Sequence, residues 1–367
     1  MNIALDMTPL KNPKSIAHRV RGTGFYIENL KRSLLQYYPN NKYTFFIRGE
    51  KLPKDVDLVH YPYFEPFFLT LPIFSKYKRI VTVHDLTPLI FPKEFPKGVR
   101  GKIKWELQKQ ALKHVDGIIT DSVCSKNDII KHAGISGNKI YAIHLAAGDE
   151  FKMLNSSKFR PKDDQPLAEK FQSLRKKYNL PEKFVLYVGD VTWNKNLPRL
   201  VEAIKRIDLA LVMVGSALMR EDFDRLNPWN KDLLNVQKSV EFDKRIIRLG
   251  FIPQQDLVLL YNEATVFAMP SLYEGFGLPI LEAMSCGCPV ISSKEGSLGE
   301  IAGDAAYFVD AYNIDDIAGG IKKVFEDKSM QKSLSDKGLL RAKKFTWKKT
   351  AEETMKVYSG FAKPSGF

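Results

Sequence analysis

Two carboxylates flanking a glycine turn are the residues best placed to do chemistry. Glu274 precedes Gly275-Phe276-Gly277, and Glu282 follows shortly after Leu278-Pro279. Paired glycines let a ligand approach the backbone. Pro279 suits a first helical position, where its missing N–H costs nothing. The free N–H groups and positive pole of a helix start attract phosphate. A carboxylate repels phosphate but accepts hydrogen bonds from hydroxyls, so the two acids suit sugar or ribose. Either Glu alone reads equally well as a cap or first-turn acid; the whole string reads as half of a donor site.

Two further places carry weaker chemical signals. Arg79 to Val83 reads as a buried strand ending in His84-Asp85. Polar residues at the carboxyl end of a parallel strand stand where open α/β sheets bind ligands, so His84 is a candidate substrate contact with Asp85 orienting it; a structural pair is the alternative. Gly22-Thr23-Gly24 predicts a turn between the strand Ile3 to Asp6 and a helix over Phe25 to Tyr38. Gly22 and Gly24 would admit a ligand there, or simply make a tight turn.

The elements that must position these residues alternate in type. Strands are predicted at 3–6, 43–47, 57–60, 79–83, 117–121 and 140–143, then again at 184–188, 209–214, 245–249, 265–269, 289–291 and 306–309. Helical patterns follow many of them, and three helices close the chain near 314–325, 330–344 and 347–358. Strands that each feed a helix imply parallel sheets. A charged, Pro-containing stretch, 156–181, separates the two series and predicts a linker, partly helical around Leu167 to Tyr178.

The bulk numbers agree with two domains in 367 residues. No stretch is apolar for long enough to cross a bilayer, and the start lacks the pattern of a secretion signal, so a cytoplasmic location is expected. Three cysteines without further ligand spacing predict small buried residues, and no metal site is expected. The net charge is +14, and residues 1–155 hold 24 Lys+Arg against 14 Asp+Glu, leaving 32 against 28 for the rest. The basic excess in the first half suggests an anionic partner, a phospholipid surface or a phosphorylated substrate, with no nucleic-acid motif in view. Residues 93–113 interleave lysines with Phe95, Ile103 and Trp105, which suits a helix on an anionic membrane surface or a solvated basic face. The aromatic run from Tyr61 to Phe74, broken by Pro62, Pro66 and Pro72, predicts a loop, either buried over the core or presenting an apolar surface.

Taken in order, Gly250-Phe251-Ile252-Pro253, Ala268-Met269-Pro270-Ser271, Glu274 to Glu282, Gly287-Cys288-Pro289-Val290-Ile291 and Glu300 to Ala305 resemble the family 4 retaining glycosyltransferases. That resemblance covers nearly the whole chain. It implies the α/β GT-B fold, two Rossmann-like domains with parallel sheets facing across a cleft. Residues 1–155 would form the acceptor-binding domain, joined by a C-terminal helix over about 347–367, and 182–346 the nucleotide-sugar domain. It further implies that Glu274 contacts the donor sugar, Glu282 the ribose, and the backbone of Gly275, Phe276, Gly277 and Leu278 the diphosphate. Lys195 would neutralise the leaving diphosphate, and His84 would lie near the donor sugar. Gly22 and Gly24 would lie near the phosphates and acceptor, and Gly250, Phe251 and Ile252 beside the base. One position departs from the pattern: Asp190 stands where many members carry Arg, which shifts charge stabilisation onto Lys195 and helix starts.

The activity so implied is metal-independent transfer of a hexosyl group, mannosyl among the candidates, from a nucleotide diphosphate sugar to an acceptor hydroxyl with retention. The sugar nucleotide is a co-substrate and no other cofactor is expected. The acceptor would be a saccharide or lipid-linked, in assembly of surface polysaccharide or glycolipid, with peripheral contact at the inner face of a membrane. A catalytically weak nucleotide-sugar-binding partner of another transferase, or a GT-B sugar-nucleotide epimerase, are the competing readings.

Overall fold

The structure, a computed structural model, describes residues 1–11, 20–154 and 165–361. It divides into two compact units, Met1–Ala146 with Phe345–Phe367, and Ala147–Lys344.

In the first unit the order is β1 (Asn2–Asp6), α1 (Thr8–Lys11), α2 (Val20–Tyr37), β2 (Lys42–Phe46), β3 (Leu58–Tyr61), β4 (Lys78–Thr82), α3 (Thr87–Ile90), α4 (Gly98–Lys113), β5 (Gly117–Thr120), α5 (Val123–Asp128) and β6 (Ile140–Ala142). The strands make a six-stranded parallel sheet ordered β2-β1-β3-β4-β5-β6. Ser122 caps α5 by accepting a hydrogen bond from the Ser125 N–H. The predicted turn at Gly22-Thr23-Gly24 is instead the first turn of α2. A Cβ at Gly22 would meet nothing within 4 Å, so nothing forces a break there.

The C-terminal helix, Trp347–Phe361, belongs to this unit and is locked in by a buried polar chain. Tyr358 Oη lies 2.6 Å from His60 Nδ1, His60 Nε2 lies 2.8 Å from Thr82 Oγ1, and Thr82 Oγ1 lies 3.0 Å from Tyr26 Oη. Burial pushes the His60 pKa down to about 3, with the nearby His84 adding to the effect, so this imidazole is neutral and has one donor and one acceptor nitrogen to satisfy. Trp347 packs beside Phe25 at 5.8 Å between ring centres. The hydroxyl of Thr350 donates to the His144 carbonyl.

In the second unit α6 (Gln165–Tyr178) is followed by β7 (Val185–Val188), α7 (Leu197–Ile207), β8 (Leu211–Val214), α8 (Lys231–Val240), β9 (Ile246–Leu249), α9 (Gln254–Glu263), β10 (Val266–Met269), α10 (Leu278–Ser285), β11 (Val290–Ser292), α11 (Leu298–Ala302), β12 (Ala306–Phe308), α12 (Ile314–Glu326) and α13 (Lys328–Ala342). Its six parallel strands run β12-β11-β10-β7-β8-β9, the doubly wound order that reverses between β7 and β10. Strand residues alternate between two cores as the pleat requires. Leu186, Val212, Phe267 and Val290 face α9 and α10, whereas Tyr187, Met213, Ala268 and Ile291 face α7 and α12.

The stretch expected as a linker is, in its described part, integral to this unit. The Arg175 guanidinium on α6 donates to the buried Glu263 carboxylate on α9 at 2.8 and 2.5 Å, and the Tyr178 hydroxyl donates to Asp256. Residues 156–164 of that stretch lie outside the described residues.

Replacing Tyr358 by Phe leaves a buried His60 nitrogen without its partner. A loss of about 1–3 kcal/mol is expected, read as a lower urea midpoint with unchanged slope. An unaltered midpoint would show that the chain does not anchor the helix.

Candidate donor site

Where strand order reverses, the loops leaving neighbouring carboxyl ends diverge and open a crevice. In the second unit those loops are the ones after β7 and β10, and they carry Lys195 and Glu274. Past β7 the chain makes a single 3-10 turn, Trp193–Lys195, and Asn196 then adopts a left-handed conformation (φ 60°) before α7. Asn takes this backbone more readily than other side-chain-bearing residues, and here it is also tied down. Its buried amide donates to the carbonyls of Pro270 and Ala311 at 2.8 and 2.7 Å. Asn194 braces the opposite loop, its side-chain amide donating to the Tyr273 carbonyl at 3.0 Å while its own carbonyl accepts from the Leu272 N–H at 2.7 Å.

With both loops held, Lys195 Nζ lies 2.8 Å from each oxygen of the buried Glu274 carboxylate. An ammonium has three donors. Two are used on Glu274, which leaves one for a ligand.

The turn carrying Glu274 is shaped by two glycines. Gly277 has φ +101° and opens α10; a Cβ there would come within 2.7 Å of Leu298. Gly296 has φ +63°, and a Cβ would run into the backbone of Glu274 itself. Ser297 completes the clamp, its hydroxyl donating to the carbonyls of Glu274 and Phe276 at 3.0 and 2.9 Å. Gly275, Phe276, Gly277 and Leu278 therefore form a fixed entry to α10, whose first N–H groups have no partner within the helix.

Glu282, one turn along α10, accepts a hydrogen bond from the Tyr261 hydroxyl on α9 at 2.8 Å. Burial pushes its carboxyl up to about 7, and the Glu150 charge adds to this while the Tyr261 hydrogen bond works against it. Tyr261 was not singled out from sequence; its only signal is its place on the amphipathic α9. After β9, Gly250 leads into an exposed Phe251 and a buried Ile252, a loop able to offer a ring face to a base. Asp190 follows Gly189 at the end of β7. Its backbone carbonyl accepts from the Tyr187 hydroxyl at 2.8 Å, while its Oδ1 is buried without a hydrogen bond among the described residues.

In the first unit His84 lies two residues past β4, and the residue that orients it is Asp121, not Asp85. His84 Nδ1 is 2.7 Å from Asp121 Oδ2, whereas Asp85 accepts from the Thr87 N–H in the turn that leads into α3. Burial opposes the imidazolium, yet the Asp121 carboxylate, with the Asp85 charge and the Pro62 carbonyl adding to it, leaves the His84 pKa raised. Nε2 is buried, with the Pro62 carbonyl close by but no hydrogen bond of normal geometry. Tyr26 meets the ring edge-on at 5.0 Å. Of the cysteines, Cys286 and Cys288 are buried as expected, while Cys124 is partly exposed.

The raised Glu282 pKa has a consequence for stability. Its unfolded value is about 4.5 and its folded value about 7, so between these the native state binds more protons and stability falls as pH rises. Glu282→Gln is expected to flatten this fall, leaving the variant several degrees more stable than the parent above pH 7, at about 2–4 °C per kcal/mol. Thermal melts between pH 4.5 and 8 check this; parallel curves for the two proteins would refute it.

Comparison with known proteins bears on both units. The family model described as Glycosyl transferases group 1 matches residues 170–341, and Glycosyltransferase Family 4 matches 7–147. The O-antigen chain mannosyltransferase B of Escherichia coli is 30% identical over 284 residues, 77% of this chain and 70% of that protein. The serotype-specific mannosyltransferase WbdA of Escherichia coli is 29% identical over 75% of this chain, which spans only 32% of that longer relative. Among solved structures, the sucrose-phosphate synthase of Thermosynechococcus elongatus superposes with TM-score 0.72 at 19% identity, covering 98% of each chain. Anabaena Alr3699/HepE, solved in complex with UDP-glucose, superposes with TM-score 0.70 at 15% identity over 98% of this chain and 100% of that one. These likenesses establish a GT-B fold, and with the sequence matches they place the chain in the family 4, group 1 glycosyltransferases.

Proposed function

We infer that this protein transfers a hexosyl group, mannosyl being the leading candidate, from a nucleoside diphosphate sugar to a hydroxyl of a growing surface polysaccharide. One observation carries the reading: Lys195 and Glu274 are brought together at the strand-order reversal of the second unit, beside the open start of α10. The Escherichia coli mannosyltransferases similar to this chain support the sugar and the O-antigen type of acceptor.

In this reading the bond between the anomeric carbon and the diphosphate oxygen breaks as the acceptor oxygen approaches from the same face. The acceptor proton passes to the departing phosphate oxygen, which acts as base, so configuration is retained. Charge grows on the diphosphate, and the task is to stabilise it there more than in the ground state. Lys195 and the N–H groups of Gly275 to Leu278 supply that charge, so the step needs neither a metal ion nor a resident cofactor. Glu274 accepts hydrogen bonds from the sugar hydroxyls and keeps Lys195 aligned. Glu282, oriented by Tyr261, accepts from the ribose, and Gly250, Phe251 and Ile252 border the base. His84, held by Asp121, offers its Nε2 to the sugar. Gly22 and Gly24, now at the start of α2, are assigned to the donor phosphates and the acceptor. The acceptor is lipid-linked, and residues 93–113 meet the membrane surface on the cytoplasmic side.

Incubating the protein with a panel of sugar nucleotides and an O-polysaccharide primer should give one productive donor, with an axial product from an axial donor by NMR. Lys195→Met and Glu274→Gln are expected to lower turnover by about 10²–10³-fold while melting within a few degrees of the parent. Near-normal turnover in either variant, or a changed sugar nucleotide without any acceptor, contradicts the assignment.

A further inference from the structure

Asp121 holds His84 by a single hydrogen bond to Nδ1. A hydrogen bond to a carboxylate tolerates a range of angles, and the outer side-chain torsion of histidine is broad. This contact alone therefore leaves the plane of the imidazole loosely set. The nitrogen left for a ligand is Nε2, which is buried and has no hydrogen bond among the described residues. Where it points depends on what fixes the ring.

Tyr26 on α2 provides a second wall. Its ring is 1% exposed and stands edge-on to His84, with ring centres 5.0 Å apart and planes at 87°, the T-shaped arrangement that ring quadrupoles favour. The Tyr26 hydroxyl reaches Thr82 Oγ1 at 3.0 Å. Thr82 and His84 are two residues apart, and the ladder continues between them, since the Val83 N–H donates to the Ile119 carbonyl at 2.9 Å. Side chains two apart on a strand face the same way, so Tyr26 is anchored to one and leans on the other.

The C-terminal helix backs this ring twice. Near its start, the Trp347 ring centre lies 6.3 Å from that of Tyr26 and 5.8 Å from that of Phe25. Near its end, Tyr358 supports Thr82 through His60. Tyr26 has no proton chemistry of its own to offer. Burial pushes its hydroxyl pKa up, the Thr82 hydrogen bond works against this and the Asp121 charge adds to it, so the hydroxyl stays protonated. What acts on His84 is the ring.

We propose that Tyr26 is the residue that positions His84: its ring, backed by Trp347, sets the imidazole plane and hence the aim of Nε2 at the donor sugar. The aim at a sugar rests on the transferase reading, whereas the placing of the ring can be measured without any transfer. The full-length protein carrying 15N-labelled histidine is followed by NMR, with His84→Asn identifying the His84 signals among the six histidines. The proton between Nδ1 and Asp121 should exchange slowly with water and give a downfield signal in the parent. Tyr26→Phe loses the hydroxyl and keeps the ring; Tyr26→Leu loses both. Both leave Thr82 without its partner, so a merely structural role lowers both melting temperatures and does not separate their turnover well below those temperatures. The phenylalanine variant is expected to keep the signal and near-parental kcat. The leucine variant should broaden or lose the signal and lower kcat by about 10–100-fold, the scale of a misplacement near 1 Å. KM for the sugar nucleotide should be unchanged, because the nucleotide is assigned to the second unit. Tyr26→Met, which fills more of the space without a ring, gives the same comparison if the leucine variant does not fold. With an active parent, equal turnover in the ring-bearing and ringless variants, or a lower kcat with the Nδ1 signal unchanged, overturns the proposal. If the signal follows the ring while the parent turns over no sugar nucleotide, the positioning of His84 stands and only the transferase reading falls.

Discussion

The donor site depends on keeping two opposite charges together in a place with little water. Lys195 and Glu274 are 79 residues apart in sequence, and the buried Glu274 would not stay charged without its half-buried partner, since an unpaired buried charge costs several kcal/mol. The structure therefore fixes both loops before it fixes the pair. Asn194 and Asn196 reach from the β7 loop to the β10 loop, Ser297 holds the far side of the turn, and Gly277 and Gly296 provide space that no side chain could share. Preorganisation of this kind lets charge act without rearrangement during the reaction.

A second constraint operates in the first unit, where polar groups are buried as a connected chain. Tyr358, His60, Thr82 and Tyr26 satisfy one another in sequence, and Tyr26 then packs against His84. The last helix of the polypeptide is thereby joined to the residues surrounding His84. A single missing hydroxyl would leave the remainder unsatisfied, because a low-dielectric interior penalises each unmet donor or acceptor.

Much of this architecture could be read from the residues, for identifiable reasons. Short apolar runs separated by helical periodicity marked all twelve strands of the described residues, since buried parallel strands are apolar on both faces. Glu274, the glycine turn and Glu282 were legible because they are contiguous. Pairings across the fold were not. Asp121 was overlooked as the partner of His84, although the β4–β5 register, Thr82 opposite Ile119, sets the two side by side two residues further on. Asp85 was the nearer choice in sequence and the wrong one in space. Tyr261 escaped notice for the same reason. Gly22 and Gly24 misled in the other direction, because glycine permits a turn without requiring one. The aromatic run is half buried and half exposed, and composition alone has no means of dividing it.

The central claim is that Lys195 keeps a positive charge, held by Glu274, for the diphosphate of a donor. Calorimetric titration of nucleoside diphosphate and of the corresponding nucleoside into the parent and into Lys195→Met tests it most directly. Loss of a charge-assisted hydrogen bond, about 1.5–3 kcal/mol, should weaken the diphosphate by roughly one to two orders of magnitude and leave the nucleoside unchanged. Equal diphosphate affinity in the two proteins would contradict the account.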